Sequence, residues 1–160
     1  MRLGRRKPLT AAQQYVNLRA NPLSLGAGTL RDGAFVWRFD TSPSPLSRIY
    51  RVRIEMAQER SPRTFIETPD LAQLAGGRDL PHVYHNPTRL CLYLPGTSEW
   101  QAWIRIDQTI VPWTMLWLWY FEDWLASDEW KGGGVHPSGH DQDLGRPPRL
   151  RFIDQTGVHK

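Results

Sequence analysis

Ile49-Tyr50-Arg51-Val52-Arg53-Ile54-Glu55-Met56 sets Tyr50, Val52, Ile54 and Met56 on one side of an extended chain, with Arg51, Arg53 and Glu55 on the other. A period of two is what a strand with one buried face requires, because successive side chains of an extended backbone point to opposite faces. Towards the N-terminus, Ser42-Pro43-Ser44-Pro45 is a turn, and before it Phe35, Trp37 and Phe39 alternate with Val36, Arg38 and Asp40. Towards the C-terminus, the short run Arg63 to Thr68 stops at Pro69, which has no N–H to give to a ladder. Three successive strands with tight links predict an antiparallel meander, begun by a weak strand between Leu23 and Leu30.

Helical signals flank this meander. Thr10 with Gln13 three residues on forms a capping box for a helix to about Ala20, and Pro22 lies just past its end. Downstream, Trp113, Trp117, Tyr120 and Trp124 share one helical stripe and Met115, Leu118 and Phe121 an adjacent one, with Pro112 suited to the first turn. Core packing is the expected use of that stripe, with a partner-facing role as the alternative. Between these parts, Pro69 to Pro112 reads as a long, mostly irregular loop, the kind that carries function in a compact domain. After Trp130, Gly132-Gly133-Gly134 and the Pro- and His-containing tail have linker composition, and only Leu150-Arg151-Phe152-Ile153 could form a short strand. The expected organisation is a basic tail over residues 1–8, a folded α+β domain over 9–130, and a Gly/Pro/His-rich extension over 131–160.

Composition narrows the classes. The chain has 160 residues, 40% of them hydrophobic and 22% charged, which suits one folded domain and not a disordered one. The net charge of +4 is a mild excess, partly due to Arg2, Arg5, Arg6 and Lys7, so no nucleic-acid partner is expected. The single cysteine excludes an intrachain disulfide and is consistent with a reducing cytoplasm. No apolar run follows the basic N-terminus as an export signal would require. Ile110 to Phe121 falls short of the about 18 residues that span a bilayer, so no membrane segment is expected.

Cys91 is the residue with chemistry to offer. His82, Tyr84, His85, Asn86 and Arg89 precede it closely, and imidazole or positive charge near a thiol favours the reactive thiolate. A cysteine between Leu90 and Leu92 also reads as a small buried hydrophobe. A metal site could join His82, His85 and Cys91 to His136 or His140, but zinc sites present tighter Cys and His pairs and there is no second cysteine. Neither a metal nor a cofactor is expected.

In its layout from about residue 9 to residue 130 the chain resembles the ubiquitin-conjugating enzymes, and more closely the bacterial proteins of that type from anti-phage cyclic-oligonucleotide signalling (CBASS) operons. Phe35 to Asp40, Ile49 to Met56 and Arg63 to Pro69 look like the second, third and fourth strands of that family. Pro81-His82 followed by Leu90-Cys91-Leu92 occupies the place of its His-Pro-Asn element and active cysteine. Trp100 or Trp103, followed by Thr109-Ile110-Val111-Pro112-Trp113, resembles the segment beyond the thiol, and Pro-His-x-Tyr, Leu-Cys-Leu-Tyr and a Trp-rich helix ending near Trp-x-Gly-Gly resemble the bacterial branch. The resemblance implies a ubiquitin-conjugating-enzyme fold: an N-terminal helix, a four-stranded antiparallel meander, an active-site loop with Cys91 and a C-terminal Trp-rich helix.

It further implies that Cys91 carries a protein's carboxyl terminus as a thioester and passes it to an amine. The cargo would be a cGAS/DncV-like nucleotidyltransferase, with a separate adenylating enzyme activating its carboxyl. His82 stands near the position of the family's asparagine and Asn86 lies nearer the thiol, so either could support the thioester. Tyr84 and Tyr93 are packing residues or partner contacts, and Trp100 and Trp103 are further candidates for partner contact. A non-catalytic binding module of the same fold, holding the partner without transferring it, is the alternative.

Overall fold

The computed structural model describes residues 6–58 and 60–134; His136, His140 and the Leu150–Ile153 stretch lie outside them. Helix α1 (Ala11–Ala20) opens on the expected capping box: the Thr10 hydroxyl accepts the Gln13 N–H at 3.1 Å and the Gln13 side chain accepts the Thr10 N–H at 2.9 Å. A 3-10 turn at Pro22–Ser24 follows, and the weak first strand expected between Leu23 and Leu30 runs over Gly26–Arg31. Strands β1 (Gly26–Arg31), β2 (Ala34–Thr41), β3 (Tyr50–Ala57) and β4 (Arg63–Thr68) pair in that order as an antiparallel sheet. Asp32 and Gly33, at φ 51° and 70°, make the two-residue link from β1 to β2, a turn whose backbone suits the twist of the strands it joins.

One face of the sheet is buried, and it is the face the alternation marks. Phe35, Trp37, Phe39, Val52, Ile54 and Met56 pack with Ala11 and Leu18 of α1 and with Ile106, Ile110 and Val111 from the C-terminal part of the chain. On the other face Arg38 pairs with Glu67 at 3.0 Å and the Arg53 guanidinium lies 4.2 Å over the ring of Phe65. Exposed ion pairs contribute about 0–1 kcal/mol each, so this face keeps the sheet soluble and shields Phe65 while the core supplies the stability.

The stretch from Pro69 to Pro112 is more regular than its composition suggests. Helix α2 (Leu71–Ala75) starts where the Asp70 carboxylate accepts the N–H groups of Ala72 and Gln73 and ends at Gly76, φ 62°. A two-stranded hairpin follows, β5 (Val83–Tyr84) against β6 (Arg89–Leu90), and then a 3-10 turn at Ile106–Gln108. Helix α3 (Ile110–Ser127) begins before Pro112, which sits in its first turn. Its Trp117, Leu118, Phe121 and Trp124 form a second core with Tyr50, Leu71, Val83 and Leu90. The aromatic stripe therefore divides: Trp117 and Trp124 are buried, while Trp113 and Tyr120 remain half-buried.

Polar groups in the interior join the two ends of the chain. Gln14, fully buried on α1, donates to the Ile104 carbonyl at 2.8 Å and accepts the Ile106 N–H at 2.9 Å, so both halves of its amide are satisfied. Asp107, 1% exposed, accepts from the side chains of Asn21 (2.9 Å) and Arg105 (2.8 Å). Burial alone would raise its pKa, but the Arg105 and Asn21 hydrogen bonds outweigh it and hold the carboxyl below its usual range.

A group with a depressed folded pKa contributes stability above its unfolded-state value and loses it as pH falls through the folded one. Asp107→Ala is expected to lower the unfolding free energy at pH 7 by about 1–3 kcal/mol, with the deficit shrinking below about pH 4. Urea unfolding of both proteins at pH 7 and pH 3 measures this, and an equal deficit at the two pH values would contradict it.

Candidate active site

The hairpin of β5 and β6 sorts its residues by face. Val83 pairs with Leu90 and Tyr84 with Arg89, and the Cys91 N–H donates to the His82 carbonyl at 3.0 Å, carrying the ladder one step further. Because side chains alternate, Val83 and Leu90 fall on the face packed into the second core. His82, Tyr84, Arg89 and Cys91 fall on the other. Tyr84 and Cys91 are diagonal neighbours there, and Sγ donates to the Tyr84 hydroxyl at 3.6 Å and towards the Tyr93 carbonyl at 3.8 Å. The Arg89 guanidinium covers the Tyr84 ring at 4.4 Å. Burial, and after it the hydrogen bond with Cys91, pushes the Tyr84 phenol well above its usual pKa, so it keeps its proton at neutral pH.

Cys91 is half-buried and lines a cleft of about 480 Å³ between the chain that follows it, α3 and residues 130–134. Leu92, Trp113, Leu116, Trp117 and Tyr120 make much of the wall apolar. Glu99 is the one carboxylate among the lining residues, and it accepts the Leu94 N–H at 2.7 Å, shaping the loop beyond the thiol. A half-exposed thiol in a largely apolar cleft suits a nucleophile that accepts an acyl group from a partner.

The other candidate residues are placed unequally. His82 reaches the cleft: it is 5% exposed, has φ 47°, and its carbonyl accepts from both Cys91 N and Trp117 Nε1, the latter at 3.2 Å. Asn86, φ 53°, sits in the turn at the far end of the hairpin and is not among the lining residues. Tyr93 borders the cleft, packed against Trp100 at 5.9 Å and Trp113 at 6.3 Å, and burial raises its phenol pKa. Trp100 lies behind it in the core at 6% exposed, whereas Trp103 is on the surface at 38%. The structure thus gathers Cys91, His82, Tyr84 and Tyr93 and leaves Asn86, Trp100 and Trp103 outside the group.

Two contributors escaped the reading of the sequence. Trp117 looked like one more packing residue, yet its indole N–H holds the His82 carbonyl. Residues 132–134 read as linker, but they line the cleft with Trp130. The available signal was a tryptophan followed, one residue on, by three consecutive glycines, Trp130-Lys131-Gly132-Gly133-Gly134, a pattern that suits close approach as well as flexibility.

Among the described residues no group of three or more His, Cys, Asp and Glu side chains could hold a metal ion, and no helix is long and apolar enough to cross a membrane. No curated protein matches the chain. A family model does, that of the type II CBASS E2 proteins, over residues 14–137. Its span takes in most of α1, the whole sheet, the hairpin with Cys91, α3 and the segment over the cleft. The chain therefore belongs to the E2-CBASS family of type II CBASS E2 proteins.

Proposed function

We propose that the protein is a ubiquitin-conjugating-type cysteine acyltransferase of CBASS anti-phage signalling, with Cys91 as its thioester-forming residue. The observation that carries this reading is the half-buried Cys91 thiol in an apolar cleft, facing His82 across a backbone hydrogen bond, in a chain of an E2 family. The family name indicates conjugating-enzyme-type chemistry and a working association with other CBASS proteins. The cargo in this proposal is the carboxyl terminus of a cGAS/DncV-like nucleotidyltransferase, adenylated by a separate activating enzyme and presented by it as a thioester for transthiolation. A cleft of about 480 Å³ has room for the last few residues of an extended chain and not for a folded domain.

In the first step the Cys91 thiolate attacks the activated carbonyl carbon. The sulfur–carbon bond forms, the bond from that carbon to the activating enzyme's thiol sulfur breaks, the activating enzyme's thiolate leaves, and the Cys91 proton has gone to solvent. In the second step an amine attacks the thioester, the carbon–nitrogen bond forms, the amine gives up a proton to water, and Cys91 departs as thiolate. Thioesters react readily with amines, so the step needs little acid–base assistance. His82 is the donor proposed for the oxyanion of the tetrahedral intermediate, ahead of Asn86, because it lines the cleft. Tyr84 and Tyr93 flank the sulfur, where they would contact the arriving chain end.

Incubation with the synthase, ATP and an activating enzyme is expected to give an adduct on a non-reducing gel that thiol reagents cleave and Cys91→Ala lacks. Cys91→Ser should trap an oxyester that resists thiols. Absence of any adduct with an activated carboxyl would leave a non-catalytic binding module of the same fold. His82→Ala is expected to load normally but to transfer to an amine about 10²-fold more slowly, the cost of one oxyanion donor. His82→Asn, which restores an amide donor, should recover much of that rate, and single-turnover discharge of the preformed thioester measures both.

A further inference from the structure

Trp130 lies beyond the end of α3, outside the residues given a role above, yet its contacts converge on His82. The two rings stack with centroids 5.0 Å apart and planes 28° apart. Trp130 is in turn held by Trp117 at 5.7 Å and Tyr120 at 5.9 Å, both from α3, and its Nε1 donates to the Gly133 carbonyl at 3.1 Å. That last bond closes residues 130–133 into a tight loop over the indole. The loop is possible only with glycine: a Cβ at Gly132 would lie 2.7 Å from the Trp130 ring, nearer than real Cβ atoms come, and one at Gly134 would lie 3.2 Å from His82 Cε1. Gly133 and Gly134 also have φ 66° and 88°.

From this geometry we infer that Trp130 is a positioning residue for His82, its indole clamped by the glycine loop so that the imidazole is held at the cleft beside Cys91. The backbone of His82 is fixed by its carbonyl, which Cys91 N–H and Trp117 Nε1 both use. Those bonds leave the imidazole's own torsion to other contacts, and the stacked indole bears on the ring itself. A donor that must meet a developing oxyanion has to be oriented before the charge appears, since reorganisation during the step forfeits much of its value. The effect of Trp130 on the reaction rests on the proposed role of His82; its hold on the imidazole does not.

Two variants separate the clamp from the bulk of the side chain. Trp130→Ala removes the indole, and Gly132→Ala keeps it but forces it away from its present position. Either is expected to slow discharge of the preformed thioester by roughly three- to tenfold, the size of one aromatic pair, and Trp130→Phe to restore most of the rate. In the His82→Ala background the same two changes should have no further effect, as expected of residues acting through one another. Additive losses there, or Trp130→Ala and Gly132→Ala discharging at the rate of the unaltered chain, would overturn the inference.

A readout independent of transfer uses the His82 Cε1–H resonance. Ring-current shielding by Trp130 should displace it upfield in the unaltered chain, and both variants should release it. If the resonance is displaced and released but no thioester forms, the proposed function fails and the clamp stands; if neither variant moves it, the clamp fails whatever the protein transfers.

Discussion

The site depends on one carbonyl oxygen. His82 O accepts the N–H of Cys91 at 3.0 Å and the indole N–H of Trp117 at 3.2 Å, so a single acceptor uses both lone pairs to join the thiol's strand to helix α3. Strands of two residues have too few ladder bonds to persist alone in water. The hairpin is ordered because Val83 and Leu90 enter the core that Trp117, Leu118 and Phe121 build, and the shared carbonyl sets its height on the helix. Burial supplies the binding free energy, at about 25 cal/mol per Å² of apolar surface, and the two hydrogen bonds supply the register.

Register matters here because it decides what faces the cleft. Slipping the hairpin by one residue would turn Val83 and Leu90 outwards and drive His82, Arg89 and Cys91 against Trp117 and Phe121. A charged guanidinium in that core would cost several kcal/mol, so the apolar pair protects the arrangement of the polar four. Neither Val83 nor Leu90 touches chemistry, yet each fixes which side the sulfur takes.

The meander was legible because β2 and β3 bury one face and carry charged side chains on the other. Tyr50, Val52, Ile54 and Met56 alternate without interruption, and Thr10 with Gln13 announces the first helix by a local hydrogen-bond pattern that needs no partner. Helix α2 was equally local, with Asp70 ahead of it and Gly76 behind, but at five residues it gives periodicity too little length to register. The hairpin was hidden for a different reason: Val83 and Leu90 are apolar for the sake of α3, far off in sequence, and two-residue strands have no alternation of their own. Residue chemistry singles out Cys91, His82 and Asn86 alike, and only the fold separates them: the first two share one face of the hairpin, whereas Asn86 stands at its turn because four residues separate Tyr84 from Arg89.

Trp130 and the glycines show why composition missed the use of residues 132–134 at the cleft. Glycine is frequent in linkers because it lacks a side chain that would restrict the backbone, and it is required under an aromatic ring for the same lack. The two uses differ only in what lies opposite, which local sequence does not record. Here Trp117 and Tyr120 of α3 present a surface for Trp130, and Gly132 lets the chain turn back close enough for Trp130 Nε1 to reach Gly133 O. Helix α3 thus serves the site twice, through the Trp117 N–H that fixes the His82 backbone and through the aromatic seat that carries Trp130 onto the His82 ring. Backbone and imidazole of the same residue are held by one helix, so the group facing Cys91 cannot shift without disturbing the core that defines where Cys91 lies.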